Sequence, residues 1–412
     1  MKVRWMTALA GSCVLALAVV ACGSSGSSSS GSSAGSASSM SGGSQSAGKS
    51  PYVIGSIDTE TGVFGSTDAA GALGVEAWAA YVNSHGGING HPVQLVVKDD
   101  QGNPSVALSE VREFAADKNL IALVGNISSV ETSWAPVAEA EGIPVVGDFP
   151  YTSISYSTKY VFPQGTTIGS ILYGEAYSAV TLGHATKVGF FYCAEDPACA
   201  DSVAPIKAFA SADAGTLVNS EAVPATAPNY DAVCTTAKNS GARALILALG
   251  AQTIISLAES CSSVGYNPVY VYQTTALSPQ EVSVPALKNS SFGVVETFPW
   301  VADSTPAQQA FQVGVQEARV PSSDYGAALS LGWTGGALFQ AAMQSVTGTA
   351  TRASVADALW NLPKGTTLDG LAPPLTYAAN AASPQQKCFF VMKLAGGKWT
   401  APYGPTKTFC QP

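Results

Sequence analysis

Where residue types and spacing in this chain point to chemistry, they point to recognition. The apolar run Ile121–Val124 reads as a buried strand, and Gly125-Asn126-Ile127-Ser128-Ser129 follows it directly before a helical pattern. A loop between the carboxyl end of a strand and the start of a helix is a ready anion site. The first helical amides have no intrahelical partner, and the positive end of the dipole faces outward. Ser128 or Ser129 can add a hydroxyl. The spacing Ser128-x-x-Glu131 is equally that of a capping box, and the two roles are compatible because a cap orients the amides. Bond-making motifs are missing. From Pro51 onward there is no GxSxG, no HExxH, no P-loop and no GxGxxG after the first strand, so no enzyme is expected. His85 and His91 flank a Gly-rich turn and serve its geometry.

The eight cysteines divide by position. Cys13 lies in an N-terminal segment that starts with Lys2 and Arg4, runs apolar from Met6 to Ala21 and gives way to a Gly/Ser tract. That build is a secretory signal, too short and wrongly flanked for a membrane span. Its last residues, Val19-Val20-Ala21-Cys22, resemble the lipobox of bacterial lipoproteins. The resemblance implies cleavage after residue 21, a lipid on Cys22, and an exported protein held on the outer face of the bacterial cell membrane. With about 0.8 kcal/mol for each buried CH2, two or three acyl chains give lasting attachment. The alternative is an ordinary signal peptide whose cut merely falls near a cysteine. Six cysteines remain, and an even number in an exported body reads as disulfides. Neighbours in sequence suggest Cys193–Cys199, Cys234–Cys261 and Cys388–Cys410, although many pairings are open. With no close CxxC pair and with His85, His91 and His184 away from ligand spacing, neither a metal nor a cofactor is expected.

The elements that must position these residues follow from composition and period. Apolar residues make up 46% of the chain and charged ones only 11%, which suits a large buried core. The net charge of −9 becomes about −11 once Lys2 and Arg4 leave with the leader, which argues against nucleic acid as a partner. Residues 23–50 are almost wholly Gly, Ser and Ala and read as a disordered tether of roughly 30 Å. From Pro51 onward strands alternate with helices. Val53–Ile57 precedes a helix from about Asp68 with Val75, Trp78, Ala79 and Val82 on one face. Val93–Val97, Ile121–Val124, Val145–Val146, Val188–Phe191, Ala244–Leu249 and Val269–Val271 read as further strands. The alternation implies parallel sheets flanked by helices, an α/β fold long enough for two domains.

Three segments carry a family resemblance. They are Tyr81-Val82-Asn83-Ser84-His85-Gly86-Gly87-Ile88-Asn89-Gly90-His91-Pro92-Val93, then Val97-Lys98-Asp99-Asp100-Gln101-Gly102-Asn103-Pro104, then Leu123 to Ser129 continuing to Pro136–Val146. In this order and spacing they resemble the leucine/isoleucine/valine-binding proteins, the type I solute receptors of ABC importers. Asp99 and Asp100 then belong to a turn of that family, not to an acid/base pair. The resemblance implies a two-lobed type I periplasmic binding protein fold with three hinge crossovers, near Phe162–Gly165, Thr297–Trp300 and Leu371–Thr376. Lobe one would be 51–165 plus 299–373, and lobe two 166–298 plus 374–412, so all six paired cysteines fall in lobe two.

The same resemblance implies the ligand contacts. The head of a small ligand, an amino acid or related carboxylate or amide, would meet Ser128, Ser129 and the amides of Val130 and Glu131. Tyr151 and Thr152 would complete the polar shell, with a register uncertain by one residue toward Pro150. Phe64 and Tyr325 would cover the apolar part, and Gln252 and Gln273 would close from lobe two. The chain departs from the pattern in two places. The usual aromatic after Val188–Phe191 gives way to Cys193-Ala-Glu-Asp-Pro-Ala-Cys199, and the acid expected to pair with an α-ammonium is Gln273 or Thr274. Asp148, Glu131 or Glu195 would have to substitute, or leucine-type ligands should bind poorly. The implied partners are ABC transporter permease subunits, with the chain itself a monomer. A ligand sensor lipoprotein signalling to a membrane partner is the alternative.

Overall fold

The computed structural model describes residues 49–412 apart from Pro150, Asp196, Pro197 and Asn289; the leader, Cys22 and nearly all of the tether lie outside the described residues. Two sheets organise the described part. The first holds β1 (Tyr52–Asp58), β2 (Val93–Asp99), β3 (Leu120–Val124), β4 (Val145–Val146) and β5 (Val161–Phe162). Its order is β2-β1-β3-β4-β5, parallel throughout. The second holds β6 (Lys187–Cys193), β7 (Thr216–Val223), β8 (Ala244–Ala248), β9 (Val269–Gln273) and β10 (Ser291–Val295), with β11 (Cys388–Ala395), β12 (Lys398–Thr400) and β13 (Phe409–Cys410) from the chain end. Its parallel core is β10-β9-β8-β6-β7; β11 joins β10 antiparallel and pairs in turn with β12 and β13. The expected parallel sheets flanked by helices are present, and the second carries an antiparallel margin that the sequence reading did not name. These C-terminal strands are a hairpin and a short return, which need no crossover helix.

Central strands are apolar along their whole length because both faces are covered. Every residue of β3 is buried, whereas the edge strand β2 alternates. The predicted stripe Val75, Trp78, Ala79 and Val82 is the buried face of the helix Ala70–Ser84. That face packs on the helix Ala327–Met343, which is buried nearly all round. The approach is backbone to backbone. A Cβ on Gly332 would stand 2.0 Å from the Gly71 carbonyl oxygen. Gly125, just past β3, combines a φ of +72° with a Cβ position only 2.8 Å from Val75, so both its conformation and its space require glycine.

Three segments cross between the lobes and are tied side by side. The Thr166 amide donates to the Glu296 carbonyl at 3.3 Å and the Phe298 amide to Leu371 at 2.9 Å. The Tyr377 hydroxyl donates to the Pro163 carbonyl at 2.7 Å, and the Ser383 hydroxyl to Val161 at 2.9 Å. The structure joins Cys193 to Cys199, Cys234 to Cys261 and Cys388 to Cys410. All three disulfides belong to elements of the second sheet: a loop after β6, two neighbouring helices, and the β11–β13 pair. No helix among the described residues is long and apolar enough to cross a membrane.

Candidate functional site

The loops at the carboxyl ends of the parallel strands of both sheets meet around a cavity of about 180 Å³. This is where open α/β sheets hold ligands, because the loops there can change without disturbing the sheet. From the first lobe come Phe64, Thr67 and Asp68 after β1, Ser129 after β3, and Phe149, Tyr151 and Thr152 after β4. From the second come Cys193, Cys199 and Ser202 after β6, Leu249 and Gly250 after β8, and Gln273, Thr275 and Ala276 after β9. No Lys, Arg or His is among the lining residues.

Hydrogen bonds between loops build the first-lobe wall. Asn126 accepts the Ile57 amide at 3.1 Å and donates to the Gly147 carbonyl at 2.9 Å, stitching β1, β3 and β4 together. Asp58 accepts the Ile127 amide at 3.0 Å. The Thr59 hydroxyl donates to Asp100 Oδ1 at 2.7 Å, accepts the Ser129 amide at 2.9 Å and lies 3.0 Å from Ser129 Oγ. Ser129 is thereby fixed with its side chain on the cavity. The Asp99 carboxylate accepts from the Thr61 and Gln101 amides, as a turn residue does.

Five of the residues expected to touch ligand line the cavity: Phe64, Ser129, Tyr151, Thr152 and Gln273. Four do not. The Ser128 hydroxyl donates to Asp100 and accepts the Trp134 indole N–H at 2.9 Å, so it is a buried joint of the wall. Val130 is the residue before the helix Glu131–Ala140, and no side-chain cap forms there. The capping box fails because Glu131 turns inward, where its Oε2 accepts the Phe149 amide at 3.2 Å. The Glu131 amide is bonded to the Ser128 carbonyl at 3.3 Å, so the expected pair of free amides is not present. Gln252 is exposed and borders a neighbouring cavity with Glu195. Tyr325 is held away because the Ala327 amide bonds the Leu277 carbonyl at 3.1 Å, which packs its turn on Pro279–Ser283.

None of the three acids proposed to replace the missing partner lines the cavity. Asp148 is buried and accepts from Ser155, Glu131 lies behind Phe149, and Glu195 accepts the Ala225 amide at 2.7 Å. The acid on the cavity is Asp68, which the sequence reading missed. It is 1% exposed, and burial holds its pKa well above the carboxylate range, with only the Thr275 hydroxyl opposing. Glu175 and Glu296 lie deeper, both fully buried and both raised well above the usual range by burial. Thr274, at a φ of +25°, donates its hydroxyl to Glu296. Burial lifts the Tyr151 phenol, with Glu296, Glu175 and Asp68 adding to the effect. A signal for these acids existed. Asp68 is the single charged residue in Val63–Val75, and Glu175 and Glu296 each interrupt an apolar run. A carboxylate isolated in apolar sequence marks either a buried pair or a site.

Comparison with known proteins agrees with this geometry. The family described as "Periplasmic binding protein" matches residues 51–398. None of the curated proteins matches the chain. Among solved structures, a fatty acid ABC transporter substrate-binding protein from Thermomonospora curvata is similar with a TM-score of 0.73 at 19% identity, over 88% of this chain and 93% of that one. A solute binding protein of an ABC transporter from R. palustris, in complex with benzoate, gives 0.70 at 17% identity over 88% and 98%. A leucine binding protein from Thermotoga maritima gives 0.69 at 15% identity over 84% and 97%. At such identities the likeness is one of fold. With a family match that spans almost the whole described body, the chain belongs to the periplasmic binding protein family.

Proposed function

We propose that this protein is the extracytoplasmic binding lipoprotein of an ABC importer of the branched-chain amino acid type, anchored through Cys22 and handing a small ligand to permease subunits. The observation that carries the reading is the cavity lined by strand-end loops of both sheets. A ligand bound there touches both lobes, so contacts made only in the closed state favour closure. The lobes divide at 51–165 plus 299–373 and 166–298 plus 374–412, with the tied crossing segments between them as hinges. The ligand is compact. A cavity of about 150 Å³ takes benzene, and this one is about 180 Å³. Its polar group meets Ser129, Thr152 and Gln273, and Phe64 and Tyr151 flank its apolar body.

A thermal-shift screen of amino acids, amides, amines and small carboxylates on the mature chain tests this. A ligand at 100 times its Kd adds about 2.7 kcal/mol, a visible shift. Ser129→Ala and Thr152→Ala are each expected to weaken the hit by about 1–3 kcal/mol in calorimetry. A screen without any hit, or a hit indifferent to both substitutions, sinks the reading. Intact mass of the membrane-bound protein tests the anchor: wild type carries lipid mass and Cys22→Ser does not.

A further inference from the structure

The fully buried side-chain atoms of the cavity that lack a hydrogen bond are all oxygens. Neither carboxylate oxygen of Asp68 meets a partner at full hydrogen-bond geometry, the Thr275 hydroxyl being the polar group nearest to doing so, and the side chain is 1% exposed. Across the cleft, Gln273 is 7% exposed and its Oε1 is likewise unpaired. Both residues line the cavity, one from each lobe. All three atoms accept hydrogen bonds once Asp68 is ionised. Buried acceptors without donors are rare in folded proteins, and a ligand that brings donors removes the defect. An ammonium brings three donors and the charge that an ionised Asp68 needs.

A carboxylate finds the opposite. No cationic side chain lines the cavity. The helix start that would receive it already has the Glu131 side chain in its first turn, the Ser129 amide bonded to Thr59 and the Glu131 amide bonded to Ser128. The groups behind the cavity are acids as well, with no cation among them. Glu296 and Glu175 lie beyond the Tyr151 phenol, both buried, with unpaired oxygens at Glu296 Oε1 and on Glu175.

From this we infer that the ligand carries a cationic amine, gripped by Asp68 of the first lobe and Gln273 of the second, and has no free carboxylate: an amine or amino amide with a compact branched or ring-shaped body. The inference rests on the binding-protein reading above and narrows its ligand class. It makes Asp68 a specificity-determining residue contributed by the short segment after β1. Because the two grips sit on different lobes, the amine is also what draws them together.

The test uses matched probes on the mature chain by calorimetry at neutral pH: leucinamide, leucine and 4-methylpentanoate on one skeleton, benzylamine and benzoate on another. Each cation is expected to bind at least about tenfold tighter than its anionic counterpart, with leucine between. Asp68→Asn is expected to weaken the amines by about 30-fold or more, since it removes one member of a buried charge pair. A second readout needs no variant. Asp68 is faced by the carboxyls of Asp58 and Asp100 and by the Tyr151 phenol. Amine binding drives its proton off, so wild-type affinity should rise with pH as long as the amine itself stays protonated, up to about pH 7.5 for an α-amine. Anions binding more tightly than their amine partners, an affinity that falls as pH rises within that range, or unchanged amine binding by a folded Asp68→Asn protein would overturn the inference and leave the binding-protein reading standing. Silence of all five probes also overturns it; the wider reading falls only if the broad screen finds nothing too.

Discussion

The two walls of the cleft are held by different means. On the first-lobe side the loops after β1, β3 and β4 are joined by side-chain hydrogen bonds through Asn126, Asp58, Thr59 and Asp100, with no disulfide. On the second-lobe side the loop after β6 is closed by Cys193–Cys199, and the helices behind it are joined by Cys234–Cys261. Hydrogen-bonded joints fix direction as well as distance, so this wall can aim Ser129 and its neighbours at a ligand. A disulfide limits what the unfolded chain can do and holds a short native loop closed without a network of side-chain hydrogen bonds. The polar grip therefore lies mostly on the first lobe, and the second supplies Leu249 and Ala276 with the polar side chains of Ser202, Gln273 and Thr275. Dense helix packing marks the first wall and oxidation the second, while buried protonated acids occur on both.

Packing gives the largest expected effect. Gly332→Val puts side-chain atoms where a Cβ alone would lie 2.0 Å from the Gly71 carbonyl. The helix pair of the first lobe must then separate, at about 3 kcal/mol or more. Urea unfolding is expected to show a large fall in midpoint or no folded protein. A midpoint near wild type would mean that the two helices are not in contact as described.

Oxidation comes next. Replacing Cys234 and Cys261 together by Ser opens a loop with a sequence separation of 27. The expected loss is about 3.5 kcal/mol by the loop-entropy relation. Reductant should reproduce this loss in the wild type and add less in the double variant. No difference between oxidised and reduced protein would remove the contrast between the walls.

Protonation follows. Burial raises the pKa of Asp148 to about 6 and that of Asp58 to about 8, and Glu281 in the second lobe rises to about 7. An acid whose folded pKa lies above its unfolded value holds its proton more tightly in the native state. Its contribution is complete below the unfolded pKa and is lost as pH rises through the folded value. Ligand-free protein should therefore be most stable in mild acid and lose on the order of a few kcal/mol by about pH 8. Urea midpoints across that range check the sign. A rise toward alkaline pH would mean that these carboxyls are ionised and paired.

The smallest effect isolates the joint that aims Ser129. Thr59→Val keeps the shape of the side chain and removes a hydroxyl that bonds Asp100 and the Ser129 amide. About 1 kcal/mol of ligand affinity should go with it. Calorimetry of Thr59→Val, Ser129→Ala and the double variant gives a cycle, and additive losses would show that the two residues act independently.

Much of this molecule was determined by sequence alone. Leu120–Val124 is a central strand because an unbroken apolar run can be buried on both faces. The face of Val75, Trp78 and Val82 is a core face because its spacing is helical. The ordered segments from Tyr81 to Val146 carry the family, since the turns they build need particular residues close together in sequence. Phe64, Ser129, Tyr151, Thr152 and Gln273 were readable for the same reason: they sit in strand-end loops, and those loops face the cleft. Only the tertiary structure decided which group in each loop is free for a ligand. Ser128 and Ser129 are adjacent, yet the first spends its hydroxyl on Asp100 and Trp134 and the second borders the cavity. Glu131 matches a capping box and still turns to Phe149. Asp68 reads as an ordinary early-helix acid until it proves to be buried opposite Gln273. Local sequence specifies backbone conformation through short-range sterics and hydrogen bonds. The use of a side chain's last free valence is settled by neighbours that only the packed fold brings near.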